Sequence, residues 1–144
     1  MTSRFGKEFK KKFSGAPIIL TAFSGGYKSV AYVLDRGGVN DRVEGVFLMD
    51  ALYDDVDKFQ RWIGGNIRRS FLVSLYTHGK CSENMKDLLD RVPKRGIRVR
   101  MEWPQTLFRG SIHHVLCDTD HMRIPLAGPP QEPLASLLKL VEIW

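Results

Sequence analysis

The sequence predicts an α/β fold: a short parallel sheet of about four strands with helices on both faces. Three observations carry this expectation. Short apolar runs recur along the chain, bounded by Gly, Pro or polar residues, as buried strands are. Between them lie stretches with apolar positions at helical spacing. The two kinds alternate, and that alternation implies right-handed crossovers and parallel pairing. The 144 residues suit one domain, and residues 1–16 form a basic N-terminal helix or tail.

Each element has its own signal. Phe5, Phe9 and Phe13 are spaced by four, which predicts a short amphipathic helix. Pro17 breaks it, and "IILTAF" follows as a buried strand. Ser24, Gly25 and Gly26 make a turn, and "YKSVAYVLDR" carries Tyr27, Val30, Ala31 and Leu34 at helical spacing. Gly37 and Gly38 end that helix. "VEGVFLMD" predicts a second strand, and "DDVDKFQRWI" a helix with acids in its first turn, closed by Gly64 and Gly65. "RSFLVSLYT" predicts a third strand. Ser82 is expected to cap the helix "ENMKDLLDRV", ended by Pro93 and Gly96. "IRVRMEW" predicts a fourth strand, half exposed or near an edge. Residues 104–133 read as a long irregular stretch before a closing helix in "PLASLLKLVEIW".

Composition bounds the function. Hydrophobic residues make up 43% of the chain, enough for a core. Two cysteines are too few for a disulfide scaffold and, with no signal-peptide pattern, suit a cytoplasmic protein. No run is long enough to cross a membrane, and no membrane partner is expected. The net charge of +6 is concentrated in "RFGKEFKKKF" and "RVPKRGIRVR". These are read as a solvated tail and a solvated turn. No zinc-finger, RRM or KH pattern is present, so nucleic acid is not an expected partner.

Ligands of an open parallel sheet bind beyond the carboxyl ends of its strands. Ser24 follows the first predicted strand, Asp50 the second, and Thr77 and His78 the third. His113, His114, Asp118, Asp120 and His121 follow the fourth. A serine needs a base to become a nucleophile, histidine suits that role near neutral pH, and a carboxylate orients the histidine. A nucleophile on a sharp strand-to-helix turn needs small residues two before and two after it, here Ala22 and Gly26. The Gly25 N–H can face a developing oxyanion. The cluster "HHVLCDTDH" also contains metal-ligand types, but its spacing matches no zinc pattern and adjacent histidines point apart if extended. No metal site is expected.

The stretch "AFSGG", between a strand and a helix and followed by Asp50 and His121 in that order, resembles the nucleophile elbow of the α/β-hydrolase superfamily. Ala22 stands where the family pattern has its first glycine, and Phe23 completes the elbow. The resemblance implies a serine hydrolase acting on a small-molecule ester or acyl substrate, with no cofactor. By it Ser24 is the nucleophile, His121 the base, Asp50 the acid with Asp54 behind it, and Gly25 an oxyanion donor. The acid is placed one strand earlier than in most of the family, because "LYTHGKC" offers none. The resemblance covers the second half of the family fold, from the elbow onward. It therefore also implies an unpaired edge on the strand carrying Ser24, relieved by a homo-oligomer or by a partner supplying strands. The alternative expectation is a truncated or split fragment, inactive without such a partner.

Overall fold

The computed structural model describes residues 4–77, 79–127 and 130–141. Its elements are α1 (Arg4–Phe13), β1 (Ile18–Phe23), α2 (Tyr27–Arg36), β2 (Val43–Met49), α3 (Val56–Asn66), β3 (Phe71–Tyr76), α4 (Lys80–Arg91), β4 (Arg98–Arg100), β5 (Ser111–Leu116), α5 (Ile124–Ala127) and α6 (Pro133–Lys139). The expected α/β class is observed: all five strands pair in parallel, in the order β1-β2-β3-β5-β4.

The sheet has five strands rather than about four. The added strand, β5, lies inside the stretch read as irregular. Its sequence "SIHHVL" is interrupted by two histidines, which breaks the apolar run that marks a buried strand. In the fold both are buried, each with a partner at Nδ1. His113 Nδ1 lies 3.0 Å from the Glu102 carbonyl oxygen. His114 stacks on Tyr76 with ring centroids 3.8 Å apart, and its Nδ1 lies 3.3 Å from Ser74 Oγ.

Connectivity follows from handedness. β1, β2 and β3 are neighbours, and α2, α3 and α4 pack together on one face. The crossover through α4 skips a place to β4, and the chain then returns to fill it with β5. A right-handed return in the opposite direction must cross the other face. Trp103 and Leu107 of the returning segment do pack into that second core, with Ile124 of α5 and Leu137 of α6. Alternation along the strands builds the two cores. Val46, Leu48, Leu72 and Ile112 meet Phe59, Trp62 and Ile63 of α3 on the first face. Phe47, Phe71, Val73 and Val115 build the second. Each fully buried aliphatic side chain contributes about 1.5–3 kcal/mol. Gly45 is required where it stands, because a Cβ there would enter the ring of Phe71.

Two helix boundaries differ from expectation. α3 continues through Gly64 and Gly65, which are exposed, because buried Ile63 and Ile67 hold the segment on both sides. α4 begins at Lys80, two residues before Ser82, after Gly79 at φ 107°. Only the left-handed freedom of glycine admits that entry. The basic N-terminal segment is helical as expected; the Phe5 and Phe9 side chains lie outside the described residues, as do His78 and the last residues of the expected closing helix. Among the described residues no helix is long and apolar enough to cross a membrane.

His114 gives the fold a pH dependence. Burial pushes its pKa down from 6.5 to about 4, against the hydrogen bond at Ser74. Between those values the unfolded chain binds a proton that the folded chain refuses, so stability falls as pH drops through this window. Urea unfolding at neutral pH and near the bottom of the window should show that loss. His114→Phe, which keeps a ring on Tyr76, should diminish it; an unchanged loss would assign it elsewhere.

Candidate active site

Parallel pairing brings the carboxyl ends of all strands to one end of the sheet. Ser24 leaves β1 and opens one turn of 3-10 helix, Ser24–Gly26, which runs into α2. Its φ is 51°, a left-handed conformation that costs a non-glycine residue about 1–3 kcal/mol. The sequence folds this way because the neighbours are small. A Cβ on Gly26 would lie 3.7 Å from Ala22 Cβ, an ordinary contact, so alanine fits where a glycine was the pattern. Nothing lies within 4 Å of a Cβ built on Gly25, so the space before that backbone is open.

Asp50 follows β2 and also has a positive φ, 45°. Its backbone N–H donates to the Leu75 carbonyl at 2.7 Å, which ties this turn to β3. His121 lies beyond β5, in a 3-10 turn leading into α5. Its Nε2 lies 2.9 Å from Ser24 Oγ, and its Nδ1 2.7 Å from Asp50 Oδ2. With Nδ1–H donating to the carboxylate, Nε2 is free to accept the Ser24 hydroxyl proton. The three residues selected from sequence are therefore joined in one hydrogen-bonded chain, although Ser24 and His121 stand 97 positions apart.

The surroundings fix that chain. The Asp50 side chain is 4% exposed. Thr77, just past β3, donates its hydroxyl to Asp50 Oδ2 at 2.6 Å and its N–H to Oδ1 at 3.1 Å. Burial raises the carboxyl pKa, but the Thr77 hydroxyl, His121, the Thr77 N–H and the Cys81 thiol together outweigh it, and the group lies below the usual range. Asp50 is thus a carboxylate at neutral pH. Phe23 stacks on the His121 ring at 4.9 Å, and Tyr53 meets it edge-on at 6.1 Å. The Tyr53 hydroxyl lies 3.3 Å from His121 Nδ1. Its pKa is pushed up to about 12, first by burial and then by the Asp50 charge, so it keeps its proton.

Other candidates lie apart. Asp54 is exposed and accepts the Asp55 N–H at 2.8 Å, a local turn contact. His113 and His114, adjacent on an extended strand, face opposite sides of the sheet, and Asp118 and Asp120 are exposed. Among the described residues no three His, Cys, Asp or Glu side chains converge as metal ligands. Cys81 and Cys117 are buried, and burial pushes both thiols up, that of Cys81 to about 11. Neither is poised as a thiolate nucleophile.

The sequence puts Thr77 just past a strand end without marking its role, and nothing in it marks Tyr53. The role of Thr77 depends on the β2–β3 register, Met49 opposite Leu75, which the sequence does not spell out. Searches of protein-family models, curated proteins and solved structures find no match to this chain.

Thr77→Val removes the hydroxyl donor and keeps the shape. The folded-state pKa of Asp50 then rises toward its unfolded value. The stability this carboxylate contributes above the unfolded pKa, lost as pH falls through the folded one, shrinks. Acid unfolding followed by circular dichroism should begin at higher pH, with stability at neutral pH lower by about 1–3 kcal/mol. An unchanged acid transition would show that this hydrogen bond does not hold Asp50.

Proposed function

We propose that the chain is a serine hydrolase of the α/β-hydrolase type, acting on a small ester or related acyl compound. The observation that carries this is the Ser24–His121–Asp50 chain of hydrogen bonds at the carboxyl end of a parallel sheet. A positive φ on the nucleophile, small residues beneath it and an acid-held histidine support the same reading.

Ser24 Oγ attacks the acyl carbonyl carbon while His121 Nε2 takes its proton. The carbonyl π electrons move onto oxygen, next to the Gly25 N–H. Asp50 stabilises the imidazolium without taking the proton. Collapse of the tetrahedral adduct expels the alcohol, which receives the proton from His121. Water, deprotonated by His121, then attacks the acyl-enzyme, and the acid leaves as Ser24 recovers its proton. Gly25 is the single oxyanion donor assigned here.

The edge position of β1 supports a second reading. One hydrogen-bonding edge of the strand carrying Ser24 has no strand neighbour among the described residues. A partner chain or a second copy that adds strands there would complete the site, and without it the chain would be inactive.

Turnover of p-nitrophenyl esters of short acids separates these readings. The first expects hydrolysis by the chain alone, sedimenting as a monomer, and a loss of about 10⁴-fold or more in Ser24→Ala and His121→Ala. Equal rates in chain and variants would overturn it. Activity that appears only with self-association or an added partner would support the second.

A further inference from the structure

Arginines of the basic stretch "RVPKRGIRVR" and of neighbouring strand entrances gather in the fold at the end of the sheet opposite the triad. A parallel sheet gathers the entrances of its strands at one end, as it gathers the exits at the other. Helix α1 enters β1, Arg68 and Arg69 enter β3, Arg95 enters β4, Arg98 is its first residue, and Arg109 enters β5. Hydrogen bonds knit the last three entrances together. Gly110 N donates to the Ile67 and Ser70 carbonyls, both at 2.8 Å, and Arg98 N donates to the Gly110 carbonyl at 2.8 Å. A Cβ built on Gly96 would lie 3.5 Å from Arg68 Nε, so Arg68 reaches over the turn that carries Arg95.

The five arginines of this patch are exposed. Arg68, Arg95 and Arg98 have no ion pair among the described residues. Arg69 donates to the Asn66 side chain at 2.8 Å, and Arg109 lies 3.6 Å from Glu44, the one acid paired into the patch among the described residues. Holding such charges together without counter-charges is unfavourable unless an anion completes them. Arg98 and Arg109 also line a cleft of about 830 Å³ with Gly96, Ile97, Leu107 and Phe108. Phe108 is 49% exposed there, although the residue before it is core.

We propose that this pole binds single-stranded nucleic acid. Guanidinium forks match phosphate oxygens in pairs. An aromatic face beside them offers a stacking platform for an unpaired base, the combination that sequence-tolerant single-strand sites use. A duplex hides its base faces. A bilayer surface calls for an apolar protrusion into the headgroups, whereas this ring lies in a cleft with guanidinium groups. The site lies away from Ser24, so a bound strand leaves access to the triad open.

Fluorescence anisotropy with a fluorescein-labelled oligothymidylate tests this. Binding should weaken as salt rises from roughly 50 to 200 mM, with a log–log slope of about −2 for three phosphates. Arg95→Glu with Arg98→Glu should weaken it about tenfold or more. Phe108→Leu, which keeps an apolar side chain but no ring face, should weaken it about fivefold with the slope unchanged. Circular dichroism melting checks that the exposed substitutions leave the fold intact. Absence of binding at the lower salt would overturn the proposal. So would binding indifferent to Phe108→Leu and displaced equally by heparin, the mark of a general polyanion surface. Cosedimentation with phosphatidylserine vesicles but no oligonucleotide binding would overturn it in favour of a lipid surface.

Discussion

Parallel pairing of the five strands is the constraint from which the rest of this molecule follows. A parallel neighbour cannot be reached by a tight turn, so the chain must cross a face between strands. Those crossings, held to one hand, place α2, α3 and α4 on one side and the β4–β5 return on the other. They also give the sheet two unlike ends. Every strand exits at one, where Ser24, Asp50, Thr77 and the segment bearing His121 meet. Every strand enters at the other, where arginines accumulate.

The site combines backbone strain with hydrogen bonding that sustains it. Ser24 and Asp50 are two of four described non-glycine residues with positive φ, and they are the residues that His121 joins. Such conformations persist where the surroundings over-determine them. For Asp50 the determinants are visible: its N–H is held by the Leu75 carbonyl and its carboxylate by Thr77. For Ser24 they are the small residues Ala22 and Gly26 and the immediate start of α2. His121 is placed by stacking on Phe23 and by its bonds at both ring nitrogens. The geometry needed for proton transfer thus exists before any substrate arrives.

How much of this was legible in the sequence depends on how local each cause is. β1, β2 and β3 are predominantly apolar, each with a single polar residue, and could be read directly. The meeting of Ser24, His121 and Asp50 could be read because it needs only strand ends and the rule that parallel strands share an exit. β5 escaped because His113 and His114 mimic a polar loop, and their partners Glu102, Ser74 and Tyr76 come from elsewhere in the chain. Gly64 and Gly65 suggested a stop that the packing of Ile63 and Ile67 overrides. The support of Asp50 by Thr77 depends on register, and the arginine pole on strand order. Neither is written in any one stretch of residues.

On the proposed reading, Ser24 is an activated nucleophile in the folded chain. Reaction with a fluorophosphonate tests this most directly, because the probe captures the serine without requiring a matched substrate. A single phosphonylation is expected, placed at Ser24 by peptide mass spectrometry, lost on prior unfolding and absent in His121→Ala. A folded chain that takes no label, or takes it equally well without His121, would contradict it.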